Sequence, residues 1–405
     1  MITSNAIIKT LKQYEPRSLH HELDVVWDWA EGYEVGSIEV HHASNLINFV
    51  PKTYIDFTSG IFVANIGHGN EHVIRAIVKQ LSKPLLHTYT FPNEARAQLV
   101  EKLCKMTGFE KCFLCSTGSE AIEVVFKMMT KRRPSMETAP KYLVCSFQGQ
   151  NHGHTLVGDV LSGRRHYTVG NRLPIYQFHD MATFRQNRGV GSPMAGIFIE
   201  SYHGWNAQFY AQDDIQELCQ WAQENQIPVC FDEIQAGFGR TGKMFGYEHY
   251  GVKPDFIVVG KGLSSSLPLA AVLGRADFMD NTDDLSSTHT GNPICCAAAL
   301  ATLEVLEQEH LVEKAAEMGQ RIQPYLNAQF LEYQVNGKGM VWAIDLKDID
   351  FANKVVKKCA EKGLLLVKTH RGTIKIGAPL IMPWEVMKQG IDIIRESVTE
   401  CISDT

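Results

Sequence analysis

No run of this 405-residue chain approaches the roughly twenty consecutive apolar residues that a membrane span needs, so no membrane partner is expected. Positive charge is not in excess: 39 basic side chains face 45 acidic ones, for a net charge of −6, and no basic field argues for nucleic acid. The opening Met1-Ile-Thr-Ser-Asn-Ala-Ile-Ile-Lys lacks a basic stretch followed by an apolar one, so no export signal is read and a cytoplasmic location is expected. Internal repeats and low-complexity segments are missing too. The ten cysteines are scattered through apolar segments and read as reduced core residues. Cys112 and Cys115 form a lone C-x-x-C in a strand-like context, and without a second pair it does not read as zinc or redox chemistry. His68 and His72 have the spacing of metal ligands on a helix, but no acidic residue follows in register, and no metal site is expected.

What is present is ordinary globular composition, 44% hydrophobic and 21% charged, at a length that suggests two or three structural units. The centre alternates strand-like apolar runs with helical patterns, the mark of an α/β fold with a mainly parallel sheet. Strands are expected at Cys112–Cys115, Tyr142–Ser146, Gly196–Glu200, Val229–Asp232, Phe256–Val259 and Ala270–Leu273. Helices are expected at Glu71–Leu81, Glu94–Met106, Glu120–Thr130, Asp214–Glu224 and Pro293–Glu307. The last hundred residues change texture: helices at Leu311–Phe330, Phe351–Lys362 and Trp384–Cys401 enclose short strands near Met340–Asp345, Leu364–Lys368 and Thr373–Gly377. That reads as a separate α+β layer.

Chemistry is concentrated in a few segments. Phe256-Ile-Val-Val-Gly-Lys261-Gly delivers a lysine to the end of a buried strand, where burial disfavours the ammonium and suits Schiff-base chemistry. Upstream, Val229-Cys-Phe-Asp232 ends in an acid before a glycine-rich turn. Parallel sheets put ligand groups at the carboxyl ends of their strands, so Asp232 and Lys261 would face one crevice. Pyridoxal phosphate needs such a pair, a lysine for its aldehyde and a carboxylate for its ring nitrogen. Ser116-Thr-Gly-Ser119 between a strand and a helix reads as a phosphate site, with Gly118 allowing close approach and Ser119 adding a hydroxyl. Ser286-Ser-Thr288-His-Thr-Gly-Asn repeats that logic before an alanine-rich helix.

These pieces, in this order and spacing, closely resemble the class III pyridoxal-phosphate aminotransferases, whose members include ornithine, 4-aminobutyrate and diamine transaminases and glutamate-1-semialdehyde aminomutase. Tyr54-Ile-Asp-Phe-Thr-Ser-Gly-Ile, Gly67-His68, Asn151-His-Gly-His-Thr, Ala195-Gly-Ile-Phe-Ile-Glu200, Asp232-Glu-Ile-Gln-Ala-Gly-Phe-Gly-Arg-Thr-Gly and Ile374-Lys-Ile-Gly-Ala-Pro-Leu extend the likeness over residues 15 to 400. The resemblance implies a fold-type-I transferase with a large cofactor-binding domain over 56–295 and a small domain built from 1–55 and 296–405. It implies that Lys261 carries the cofactor, Asp232 holds the pyridinium, Gln235 lies near the phenolic oxygen, and Ile234 packs one ring face. Gly118 and Ser119 would take the phosphate, Asn151, His152 and His154 would belong to the cofactor loop, and Thr288 would reach the partner subunit's site in a homodimer.

Departures from the family's pattern bear on the substrate. Its carboxylate-binding arginine in the late strand is here Lys375, a point charge without the planar fork, expected to be flexible and partly solvated. A second glutamate is replaced by Trp205, the arginine after histidine-glycine by His154, and the ring-stacking aromatic by Asn151. The expected reaction is amino transfer from a small-molecule donor, an amino acid such as glutamate, to an aldehyde, keto or oxidised-sugar acceptor. The alternatives are an aminomutase, for which the histidine-rich loop speaks, and a silent relative serving as a scaffold, against which Lys261 and Asp232 both speak.

Overall fold

The computed structural model describes residues 3–403 apart from 20, 22, 44–45, 132–140, 165–172, 190–192 and 283. Near the amino end lie β1 (Trp29–Glu31), β2 (Glu34–Ala43) and β3 (Leu46–Asp56). The central run comprises β4 (Lys111–Cys115), β5 (Leu143–Phe147), β6 (Ile175–Phe178) and β7 (Met194–Glu200), then a short hairpin of β8 (Tyr202–His203) and β9 (Gln208–Phe209). It continues with β10 (Val229–Asp232), β11 (Phe256–Val259) and β12 (Ala270–Gly274). The carboxyl end supplies β13 (Gln334–Lys338), β14 (Val341–Asp345), β15 (Leu364–Leu365), β16 (Val367–Lys368) and β17 (Thr373–Ile376).

The main sheet has seven strands in the order β4-β12-β11-β10-β7-β5-β6. Pairings from β11 across to β6 are all parallel, while β12 runs antiparallel to both of its neighbours. Side chains alternate across such a sheet. Phe231, Ile257 and Val259 accordingly join one buried cluster, and Cys230, Phe256 and Val258 join the cluster on the opposite face. Both faces are covered, which explains why these strands read as continuous apolar runs.

Local chemistry sets the flanking helices. Asn70 caps Glu71–Leu81 through its side-chain oxygen, and Asn292 caps Pro293–Gln308 with proline in the first turn. The Glu94–Thr107 helix stops at Gly108, whose φ of +68° is left-handed.

Strand β15 pairs in parallel with β3, so one four-stranded sheet draws on both ends of the chain. The run 364–368, expected as one strand, is split: Leu364–Leu365 pairs with β3, whereas Val367–Lys368 pairs with β17. Leu366 is buried between them, where the chain passes from one sheet to the next. The β2–β3 hairpin lies outside the strands expected from sequence, and only its final residues, from Tyr54, fall in a segment that carries the family resemblance. No described helix is long and apolar enough to cross a membrane.

Arg240 ties these layers together. Fully buried, its guanidinium donates to the carbonyls of Met340 (3.2 Å) and Ala378, and to Asn65 Oδ1 at 2.6 Å. Burial lowers its pKa to about 10, opposed by Tyr202 and Asp56. Arg240→Lys keeps the charge but gives up the fork that reaches these acceptors together, so we expect a loss of about 2 kcal/mol. A melting temperature about 2 °C lower, measured by calorimetry, is the expected reading.

Candidate active site

Strand register brings the acids to one edge. Asp232 lies opposite Glu200 on β7 and Val258 on β11, and Lys261 follows just beyond the end of β11. Lys261 opens a short 3₁₀ turn, Lys261–Leu263, with φ of +39°, a conformation uncommon for a side-chain-bearing residue. The next position must be glycine, because a Cβ at Gly262 would lie 2.5 Å from Asn65 Nδ2. Burial lowers the pKa of Lys261, against the pull of the Asp232 and Glu200 carboxylates.

Asp232 is 5% exposed and enclosed by donors. Its Oδ1 accepts the Ile234 backbone N–H at 3.1 Å, and its Oδ2 lies 2.9 Å from Nδ1 of the buried His152. The other ring nitrogen of His152 is 2.9 Å from Gln150 Oε1, so the imidazole is oriented from behind. A carboxylate offers about four lone-pair positions, and these contacts leave room for a further donor.

One residue beyond Asp232's backbone partner, the Gln235 side-chain carbonyl is occupied. Oε1 accepts from Lys375 Nζ at 2.6 Å and from the Tyr202 hydroxyl at 3.0 Å, leaving the amide N–H groups without a partner among the described residues. Lys375 is only 2% exposed, also donates to the Gly204 carbonyl, and sits 4.3 Å from the centre of the Phe62 ring. The flexible, partly solvated ammonium anticipated from sequence is therefore not observed. Position 375 is enclosed by β14 and β16 on either side, and burial lowers the Lys375 pKa to about 7.

The helix expected from Glu120 starts at Gly118, because Thr117 caps it: the Glu120 N–H reaches Thr117 Oγ1 at 3.2 Å. A Cβ on Gly118 would lie 2.6 Å from Ile234 Cδ1, so the helix end, Ile234 and the strand ends are in close contact. Ser119 Oγ accepts the His154 N–H at 3.3 Å, which lays the 151–154 loop over that helix end. Asn151 donates its N–H to Glu200 Oε2 at 2.9 Å, and its side-chain oxygen is held by Arg164 at 3.0 Å. Trp205 follows Gly204 and carries the Arg371 guanidinium 4.5 Å from its ring centre, while its indole N–H has no partner among the described residues. Thr288 is the exception: it is exposed ahead of the Pro293–Gln308 helix and is not brought to this cluster within the chain. A separate cavity of about 930 Å³ lies by Pro228, Val229 and Asp255, at the opposite ends of these strands, and contains neither Lys261 nor Asp232.

This donor set suits pyridoxal phosphate. Asp232 has acceptor capacity for a ring N–H, Gln235 has only N–H left to offer, and the helix that starts at Gly118 turns its first backbone N–H groups toward an anion. Comparison with known proteins agrees. Residues 44–398 match the model of the class-III aminotransferases. The chain belongs to this family. An ornithine aminotransferase from Emericella nidulans is 30% identical over 94% of this chain and 87% of its own length. An acetylornithine aminotransferase from Archaeoglobus fulgidus is 31% identical over 85% of this chain and 90% of its own. In fold, this aminotransferase superposes on an ornithine aminotransferase from Toxoplasma gondii with a TM-score of 0.87 at 24% identity, covering 100% of this chain and 96% of that one. The ornithine and acetylornithine aminotransferases among these relatives favour transamination over the aminomutase alternative. The enzyme is thus a pyridoxal-phosphate-dependent transaminase.

Sequence reasoning did not single out Glu200 or Tyr202, nor did it pair His152 with Asp232. Only the strand-ending position of Glu200 and the Asn151-His-Gly-His pattern hinted at them. Glu200 is pushed up to about 7, mainly by burial. Its folded pKa therefore exceeds the ordinary 4.5, so its contribution to stability is full below that value and is lost as pH rises through about 7. Both backbone N–H groups, of Asn151 and Gly204, go to the same oxygen, so glutamine can keep them. Glu200→Gln should flatten the fall in melting temperature between pH 4.5 and 7, the interval bounded by those two values, in scans of the cofactor-free protein.

Proposed function

We propose that this aminotransferase moves an amino group from an amino-acid donor to an acceptor whose reacting carbon has no adjoining carboxylate, such as an aldehyde, a keto compound or an oxidised sugar. One observation carries the choice of acceptor: the Lys375 ammonium is turned to the Gly204 and Gln235 carbonyls instead of standing free for a substrate carboxylate. Glutamate is the first donor to test, with ornithine and acetylornithine suggested by the relatives' names.

Pyridoxal phosphate, when bound, supplies an aldehyde for amines and a ring that takes up the electron pair freed at the substrate carbon. Lys261 Nζ holds the cofactor at its aldehyde carbon, and the lowered pKa favours the neutral amine this requires. As a free amine the same Nζ would be the base that moves the proton at the substrate carbon. Asp232 keeps the proton on the ring nitrogen, with His152 orienting its carboxylate. Gln235 would donate to the phenolic oxygen, Ile234 would cover one ring face, and Asn151 and His154 would border the cofactor from their loop. The Gly118 and Ser119 end of the helix takes the phosphate. These groups belong to a large unit over 56–295, and Lys375 comes from the small unit of 1–55 and 296–405.

A homodimer completes the site in this reading. Leu86, Tyr89 and Phe91 are exposed apolar residues, and the segment is joined to 286–292 by Tyr89–Ser286 at 3.1 Å and Asn292–Leu86 at 2.8 Å. Thr288 lies in that second segment and would serve a neighbouring copy's phosphate in the homodimer proposed here. Sedimentation equilibrium should give twice the chain mass of 45.4 kDa; a monomer at micromolar concentration would contradict it.

The function itself is tested with purified enzyme, pyridoxal phosphate and a panel of donors against aldehydes, sugars and 2-keto acids. Turnover should need both substrates and favour acceptors without a carboxylate at the reacting carbon. Lys261→Ala should lose the visible band of attached cofactor and nearly all turnover while keeping its fold by circular dichroism. Turnover without an added acceptor, or an active Lys261→Ala enzyme, would refute the reading.

A further inference from the structure

Gln235 can offer the cofactor either its carbonyl or its N–H₂, depending on which way its amide is turned. Tyr202 cannot choose between them, because a hydroxyl both donates and accepts. Lys375 can. In its ammonium form Nζ has three N–H groups and no lone pair, so while Lys375 is charged the amide atom 2.6 Å away is the oxygen. Turning the amide over would set N–H₂ against the ammonium inside a pocket that excludes water. Lys375's other contacts hold it there: the Gly204 carbonyl takes a second proton, and the face of Phe62 lies 4.3 Å away as a cation–π partner. Strand neighbours Ala343 and Val367 bring no charge of their own. The charged groups felt at Lys375 are Glu200, which favours the ammonium, and Lys261 and Arg240, which oppose it.

We propose that Lys375 is a positioning residue, which by occupying the Gln235 carbonyl compels this amide to present N–H to the cofactor's phenolic oxygen. The role rests on the cofactor site described under the proposed function. An N–H donor favours the ionised phenolic oxygen and so lowers the pH at which the lysine-bound cofactor loses its proton. Lys375 therefore sets a property of the bound cofactor without touching it.

The test is a pH titration of the cofactor's visible absorbance in the holoenzyme, for the wild type, Lys375→Met, Gln235→Leu and the double variant. Lys375→Met should raise the midpoint by about one pH unit, and Gln235→Leu by a similar amount, as loss of a donor to a charged oxygen predicts. The double variant should match Gln235→Leu alone, because Lys375 acts through Gln235. Lys375→Arg, which is also a donor only, should restore most of the wild-type midpoint. Should Lys375→Met fail to fold, Lys375→Gln takes its place in the cycle, since it fills the space and can meet the Gln235 amide in either orientation. Shifts that add in the double variant would overturn the role in favour of a through-space charge effect, and an unmoved midpoint in Lys375→Met would overturn it outright. If the wild type gives no band with added pyridoxal phosphate, the cofactor site itself is refuted along with it.

Discussion

A carboxylate buried at the edge of a parallel sheet persists only where donors replace the water it has lost, and Asp232 meets that condition from two sides. The Ile234 N–H comes from the turn leaving its own strand, and the His152 imidazole from the loop after β5. This arrangement requires β5, β7, β10 and β11 to lie in parallel register, so that loop, acid and lysine emerge together. The hydrophobic cores on both faces of the sheet hold that register. A change in the sheet's packing would reach the chemistry first through Asp232.

Around that acid the charges are arranged so that few are directly paired. Glu200 takes backbone N–H groups, Lys375 takes carbonyls, and Arg240 takes carbonyls and Asn65. Ions solvated by dipoles, not by one another, stay available to a charged ligand and respond to it. Burial makes that responsiveness measurable, raising Glu200 and lowering Lys375 to about 7. Backbone groups also set orientation: two N–H donors on one oxygen of Glu200 fix its rotamer, and the Gly204 carbonyl helps to fix Lys375.

The elements that could be read in advance share a simple origin. Val229–Asp232 is a short apolar run ending in an acid and Phe256–Val259 one stopped by a glycine, and both strands have the bounds their sequences suggest. Glu71–Leu81 follows an asparagine cap and is likewise where expected. Local rules served less well where an element depends on a distant partner. The 364–368 run divides because two different sheets compete for it, and nothing within those residues marks Leu366 as the point of transfer. The hairpin of β2 and β3 is held by its own antiparallel pairing and by β15 from the other end of the chain.

At the site the same division holds. Sequence alone determined the kind of chemistry, because a lysine after a buried strand, an acid ending its neighbour, and a glycine-serine helix start are local patterns that depend on strand direction and helix polarity. It determined family membership for the same reason. Tertiary structure alone decided what Lys375 does. From sequence it was an arginine substitute facing a substrate, whereas packing against Phe62, Gly204 and Gln235 turns its protons to carbonyls that lie 171 and 140 positions away along the chain. The orientation of a buried ammonium follows from which acceptors surround it, and those come from segments that meet only when the sheets assemble.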